Sequence, residues 1–238
     1  MNTQQVRDLA SAVAVHLARF GVIIGGLAVA PLLGIGGWYA GLFVNGLCCL
    51  FAAALVTRLG LWRTIGIARL RAGLPAALFL LVMLAEALSW LLPAGLDVAP
   101  PGVALWALTL LLVGFNEELI SRGVVLHRLT HSFSAVPAVV LTGVLFGLQH
   151  LSLFATTSRG AYDIITNVLL SGLVGFSMAA FQYRFRWILP LILVHALADF
   201  TAIHAREPHG DLFAALTGVV FVTLGVLILR TRGRRPAG

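Results

Sequence analysis

The sequence is divided into apolar runs of about 20 residues, and this pattern limits the fold more than any other feature. A transmembrane helix needs about 20 consecutive apolar residues. In this chain 60% of the 238 residues are hydrophobic and 11% are charged, whereas soluble domains carry about 25% charged residues. The chain is therefore predicted to be an all-α polytopic membrane protein with about eight transmembrane helices. The predicted spans are 17–35, 37–57, 74–93, 101–121, 136–157, 162–182, 187–203 and 211–229.

The arginines predict the orientation of these spans. All 16 basic residues are arginines, and 14 of them fall in cytoplasmic segments if the amino terminus is cytoplasmic. Arg159 and Arg206 then remain on the outer side. The positive-inside rule favours this arrangement, so both termini are predicted to be cytoplasmic. The arginines are scattered among short loops, so we attribute the net charge of +7 to topology and expect no nucleic-acid partner.

Between the spans, the sequence predicts no soluble domain. Residues 1–238 are expected to form one transmembrane domain that ends in a short basic tail at 231–238. The loop 58–73 has the pattern of a basic amphipathic helix at the inner membrane surface. A composition without lysine and rich in alanine hints at a GC-rich genome, and the expected location is a bacterial plasma membrane.

Two adjacent carboxylates, Glu117 and Glu118, lie inside the fourth predicted span. A charged side chain near the bilayer centre costs about 2.5–3.5 kcal/mol on insertion scales, so an intramembrane pair predicts a functional site. Arg122 follows Glu118 by four residues, a spacing that places both side chains on one helix face and allows an ion pair. Glu117 points about 100° away and is expected to be free to face a substrate. The alternative is that both glutamates cap the helix end near water.

Two histidines, His150 and His195, also fall deep in predicted spans. Phe146 precedes the first by one helical turn and is expected to pack on it. Asp199 follows the second by four residues, where a carboxylate can fix the ring tautomer or share a ligand. The alternatives are a hydrogen-bonded packing role for His150 and a private His195–Asp199 contact that joins two helices.

Residue counting predicts that these motifs lie at one depth. Glu117 is about 16 residues before the turn expected at 132–134, and His150 is about 17 residues after it, so the two would be level in a helical hairpin. His150 and His195 lie at similar distances from the outer ends of their spans. Two carboxyl groups and two imidazoles that converge in lipid suggest hydrolysis. Weaker candidates for the surroundings are Glu86, Asp163 and Asn167.

Three ordered motifs resemble a known family. Glu-Glu-x-x-x-Arg at 117–122, Phe-x-x-x-His at 146–150 and His-x-x-x-Asp at 195–199 are similar to those of the CPBP family of intramembrane proteases. This family is also known as the type II CAAX prenyl endopeptidase or Abi family. The resemblance covers about 100–203 and implies a catalytic core at about 101–203. Asp199 stands where the eukaryotic type has Asn.

The resemblance implies an endopeptidase that cleaves a membrane-associated or lipidated peptide or protein. Glu117 with His150 would activate a water molecule as general base, and Glu118 would be held by Arg122, although the two glutamates could exchange roles. His195 and Asp199 would stabilise the oxyanion or orient the substrate. The expected catalytic residues are thus Glu117, Glu118, Arg122, His150, His195 and Asp199, with Phe146 and Asn167 beside the substrate.

Two mechanisms and two rival functions stay open at this point. A zinc ion, if one takes part, would be held by Glu117, His150, His195 and Asp199, whereas a metal-free mechanism would use the same groups as acids and bases. A proton-coupled transporter also needs intramembrane acids and histidines, but no internal repeat is visible in the sequence. A non-catalytic membrane scaffold or immunity protein that keeps the fold is the other alternative.

Overall fold

The computed structural model describes residues 1–70 and 73–230, and these residues form eight main helices without a β-strand. The all-α prediction is therefore confirmed. In chain order the helices are α1 (Thr3–Leu33, with a 3₁₀ turn at its end), α2 (Trp38–Arg58), α3 (Leu74–Ser89), α4 (Val103–Leu129), α5 (Ala135–Thr156), α6 (Ala161–Phe185), α7 (Ile188–His204) and α8 (Asp211–Arg230).

Six of these helices are long and apolar enough to cross a membrane, namely α1, α2, α4, α5, α6 and α8. The other two, α3 and α7, are shorter apolar helices. A helix rises 1.5 Å per residue, so the 17 residues of α7 span about 26 Å, slightly less than a hydrocarbon core of about 30 Å. The prediction of a polytopic membrane protein is confirmed, and the described residues form six helices of spanning length and two shorter apolar helices.

Two helices extend well beyond their predicted spans. α1 begins at Thr3 rather than near residue 17, because Asn2 and Gln5 form a capping box that satisfies the first free backbone N–H groups. α4 continues to Leu129 rather than ending near residue 121. As a consequence Arg19 lies in the middle of α1 and not near its start.

The loop after α2 does not form the predicted amphipathic helix in its described part. Residues 62–68 are a series of turns, and Gly60 and Gly66 adopt φ values of 66° and 71°, which interrupt a right-handed helix. Leu61 and Ile65 are buried in the core, so the loop folds back onto the helices. Residues 71 and 72 and the predicted basic tail at 231–238 lie outside the described residues.

α4 is the central helix of the arrangement. It packs along α2 and α7, and its second half also contacts α1, α5 and α6. Gly114 makes the contact with α7 close, because a Cβ atom there would lie 2.8 Å from the Ile192 carbonyl oxygen. This close approach brings the carboxylates of α4 next to the imidazole of α7.

A π-helical segment interrupts α4 immediately after the glutamate pair. It runs from Leu119 to Val125, and all seven of its residues are buried. Such widened turns are rare and occur frequently at functional sites. The segment carries Arg122, so the irregular backbone lies where the charged side chains of α4 must be positioned.

Candidate active site

Glu118 is held by two partners in the interior. Its Oε1 atom is 2.9 Å from Nη1 of Arg122 and 2.8 Å from Nδ1 of His195. Because a carboxylate oxygen only accepts, the imidazole donates its Nδ1–H in this contact. The ion pair expected from the four-residue spacing is present, and Glu118 is 0% exposed.

Phe146 connects these charged groups to the second histidine. The Arg122 guanidinium lies over the Phe146 ring, 3.9 Å from its centroid, in the geometry of a cation–π contact. The same ring meets His150 and His195 edge to face, with centroid distances of 5.3 and 5.9 Å. Phe146 therefore packs between the side chains of all three motifs.

Glu117 also has a cationic partner, so the expectation that it is free was wrong. Its Oε1 atom is 2.8 Å from Nη2 of Arg19, which comes from α1. Its Oε2 atom accepts a 3.0 Å hydrogen bond from the Gln149 amide. Arg19 in turn donates from Nε to the Asn116 side chain at 2.8 Å. The two adjacent glutamates thus have separate arginines on separate helices.

Sequence reasoning missed Arg19, Asn116 and Gln149 as neighbours of the pair. Arg19 stands within an apolar run, and that position alone could have identified it as a partner for a buried carboxylate. Asn116 and Gln149 directly precede Glu117 and His150, so polar residues adjoining a motif were the available signal.

His195 lies among three carboxylates. Besides the Glu118 contact at Nδ1, its Nε2 atom is 3.5 Å from Oδ2 of Asp199 and 3.9 Å from Oε2 of Glu117. The imidazole therefore links both glutamates and the aspartate. The sequence prediction that the α4 and α7 motifs meet at one depth agrees with these distances.

His150 stands where α5 changes from an α-helix to a 3₁₀ turn. Its Nδ1 atom is 3.0 Å from the Phe146 carbonyl oxygen, and since a carbonyl only accepts, Nδ1 is the protonated nitrogen. In the neutral ring Nε2 then carries the lone pair. His150 therefore offers an acceptor on the ring edge that faces away from its own helix.

His150, His195 and Asp199 line one cavity of about 270 Å³ between α3, α5, α6, α7 and α8. Asn167 from α6 and Glu86 from α3 add polar groups to its wall, which is otherwise mainly apolar. We call this space the central cavity. Asn167 thus lies beside the histidines as expected, whereas Asp163 is exposed and does not line the cavity.

The four residues named as zinc ligands do not form a metal site in their present arrangement. Within residues 1–70 and 73–230, no group of three or more His, Cys, Asp or Glu side chains is placed to hold a metal ion. One nitrogen of His195 is occupied by Glu118, and one oxygen of Glu117 is occupied by Arg19. The donor set therefore gives a zinc ion no ready coordination sphere.

The fold and the central cavity define a polytopic membrane protein with a cluster of acids, histidines and arginines between its helices. Residues 99–201 match the family model described as Type II CAAX prenyl endopeptidase Rce1-like. The resemblance of this part of the chain to the CPBP intramembrane proteases is therefore confirmed. At the level of the family, the match indicates a CAAX-type endopeptidase that acts on a membrane-associated peptide.

All three motifs fall within the matched segment, whereas α1 with Arg19 lies before it. No match was found among curated proteins or among solved structures.

Proposed function

We propose that this protein is an intramembrane endopeptidase in which Glu117 activates the attacking water molecule. The observation that carries this assignment is the difference between the two glutamates. Glu118 is 0% exposed and is shared by Arg122 and His195, so it is occupied in holding the site together. Glu117 is 8% exposed, and its Oε2 atom lies toward His195. Of the pair, Glu117 is the carboxylate that a water molecule can reach.

His150 assists Glu117 in this proposal. With Nδ1–H bonded to the Phe146 carbonyl, the Nε2 lone pair can accept a hydrogen bond from the same water molecule. Two acceptors engage both O–H groups of one water molecule and leave its lone pairs free to face a substrate carbonyl. General acid–base assistance of this kind contributes about 10²–10⁴-fold to the rate.

The reaction then proceeds in two steps, addition of water to the substrate carbonyl and elimination of the amine. Glu117 takes one proton from water as the oxygen bonds to the carbonyl carbon of the substrate and the carbonyl electrons move onto oxygen. When the C–N bond breaks, the same proton passes from Glu117 to the leaving nitrogen. The products are a carboxyl terminus and an amine, so the water is consumed and the enzyme groups are regenerated.

In this scheme His195 stabilises the oxyanion intermediate, and Asp199 orients the imidazole of His195. The site contains three carboxylates, of Glu117, Glu118 and Asp199, and two guanidinium groups, of Arg19 and Arg122, which leaves one negative charge uncompensated when all are ionised. A doubly protonated His195 balances it and presents Nε2–H to the cavity. A donor fixed in a water-poor site is worth about 2.7–4 kcal/mol of transition-state stabilisation.

The substrate class follows from the location of the site. The cavity lies among helices that cross or line a membrane, so the scissile bond belongs to a membrane-associated peptide or protein, with or without a lipid. A zinc-dependent mechanism is the alternative that the family resemblance implies. The residues assigned to the site are the same in both mechanisms. We place the protein in a bacterial plasma membrane.

The test is cleavage of a quenched fluorogenic library of apolar peptides and lipopeptides by the detergent-purified protein. We expect internal cleavage by the wild type, identified by mass spectrometry, and loss of cleavage in Glu117→Gln and His150→Ala. Exposed Arg7→Met serves as a matched surface control. Equal cleavage by wild type and Glu117→Gln would refute the proposal.

Chelation of the same sample separates the two mechanisms. Activity that survives complete removal of bound metal, verified by elemental analysis, supports the glutamate mechanism. Activity that is lost on chelation and returns with zinc would show that a metal takes part and that the site rearranges to bind it.

A further inference from the structure

His16 is a histidine of α1 that lies near the proposed base and has no part in the mechanism above. It lines the space between α1 and α5 together with Gln149, and the two side chains are hydrogen-bond partners. Both ring nitrogens of His16 and Oε1 of Gln149 are buried, and residues 1–70 and 73–230 offer these atoms no other partner. Because buried polar groups in proteins are hydrogen-bonded, the imidazole and the amide oxygen depend on each other.

The direction of this hydrogen bond follows from the other end of the Gln149 amide. Nε2 of Gln149 is 3.0 Å from Oε2 of Glu117. A carboxylate oxygen only accepts, so the amide nitrogen faces Glu117 and the amide oxygen is left to face His16. An amide oxygen also only accepts, so the imidazole is the donor. Two hydrogen bonds in series thus connect His16 through Gln149 to Glu117.

Glu117 is held at both of its oxygens by this arrangement. Oε1 pairs with Arg19 at 2.8 Å, and Oε2 accepts from Gln149. Oε2 is also the oxygen that lies toward His195 and the proposed water. One of its lone pairs is used by the amide, and the other is available to water. If the amide were reversed, its own oxygen would face the carboxylate and repel it.

We propose that His16 is a positioning residue of the peptidase and that it acts on Glu117 through the Gln149 amide. This inference rests on the proposed function. The N–H of His16 keeps the amide oxygen turned toward α1 and the amide nitrogen turned toward the base. His16 does not line the central cavity, so it orients the base without touching the substrate.

The first helix therefore completes the site from outside the three motifs. His16 and Arg19 are three residues apart, a spacing that places both on one face of α1. They act on the two oxygens of one carboxylate, Arg19 directly and His16 through Gln149. α1 ends before the segment 99–201 that matches the family model.

The alternative role of His16 is packing alone, since the space around it is lined mainly by apolar side chains such as Val13, Leu17 and Phe20. A phenylalanine would pack as well as the imidazole but could not donate to Gln149. The two roles therefore predict different kinetics for His16→Phe.

The first arm of the test is steady-state kinetics on the library peptide that the wild type cleaves fastest. We expect kcat of His16→Phe to fall about tenfold, which corresponds to one lost hydrogen bond, with KM unchanged. His16→Asn and His16→Gln return an N–H group close to the positions of Nδ1 and Nε2, and one of them should recover most of the wild-type kcat. His131→Phe, at an exposed histidine, is the matched control. A wild-type kcat in His16→Phe would overturn the proposal, as would a loss that neither amide variant recovers.

The second arm determines whether His16 acts through Gln149. Gln149→Leu should itself lower kcat, because Oε2 of Glu117 loses its amide donor. In that background His16→Phe should change kcat little, since the amide that it orients is absent. A loss of kcat as large as the one in the wild-type background would show that His16 acts independently of Gln149 and would overturn the proposal.

Unfolding of the same variants by SDS separates failure of this inference from failure of the proposed function. The effects of His16→Phe and Gln149→Leu on stability should not add, and this result requires no turnover. If the wild type cleaves no peptide, the endopeptidase is rejected together with the positioning role, and non-additive unfolding would still establish the contact. Glu117-dependent cleavage with a wild-type kcat in folded His16→Phe would keep the endopeptidase and reject the role of His16.

Discussion

Replacing Arg19 by methionine should destabilise the protein more than any surface arginine substitution. Arg19 is 7% exposed, and it holds both Glu117 and the Asn116 side chain. Methionine keeps much of the apolar length of the side chain but removes the charge and both hydrogen bonds. The carboxylate of Glu117 would then remain buried beside one amide donor from Gln149.

The expected magnitude follows from the burial of both partners. Removing one member of a buried ion pair costs about 3–5 kcal/mol, because the other charge is left uncompensated. In Arg19→Met/Glu117→Gln that uncompensated charge is absent. The double variant should therefore be more stable than the sum of the single effects by about 2 kcal/mol, within the range of coupling between contacting residues.

The assay is reversible unfolding by SDS in mixed micelles, followed by helix content and tryptophan fluorescence. Arg7→Met is the matched control, since Arg7 is an exposed residue of the same helix and its loss should change the free energy of unfolding little. If Arg19→Met unfolds like Arg7→Met, or if the two single effects add in the double variant, the ion pair contributes nothing and the reasoning is wrong.

Two further predictions concern packing and topology. Gly147→Ala should destabilise the protein by about 1–3 kcal/mol and lower its activity. The reason is that the new Cβ would lie 2.5 Å from the Val168 carbonyl oxygen and displace the helix that carries His150. Gly46→Ala is the control in the same unfolding assay, because a Cβ there would have no other atom within 4 Å. A reporter that is active only in the cytoplasm should be active when it is fused after Gly238, as the arginine distribution favours. Activity of a reporter that works only outside the cytoplasm, fused at the same position, would reject the predicted orientation.

The fold was largely predictable because apolar length is a strong signal in a membrane chain. Starts and ends between α2 and α8 agree with the predicted spans within a few residues except at α4. There Arg122 suggests a helix end near residue 121, but its side chain is buried in the protein and the helix continues to Leu129. The start of α1 was missed for a related reason. Arg7 and Asp8 make its first turns polar, although the capping box begins the helix at Thr3.

The site was predictable where partners lie on one helix and unpredictable where they lie on different helices. The Glu118–Arg122 ion pair follows from a spacing of four residues. The Arg19–Glu117 ion pair joins residues 98 positions apart, and no local pattern connects them. The π-helical segment Leu119–Val125 also has no sequence signal that we recognise.

The central claim is that Glu117, rather than Glu118, activates water. Its most direct test is the kcat of Glu117→Gln beside that of Glu118→Gln on one cleaved peptide, with folding of both variants verified by SDS titration. Glu117→Gln should be destabilised by the loss of its ion pair with Arg19 but still fold and bind the peptide, with kcat lowered by about 10²–10⁴-fold. Glu118→Gln, which loses its contacts with both Arg122 and His195, should lose more stability together with activity. A folded Glu117→Gln variant that retains the wild-type kcat would contradict the account.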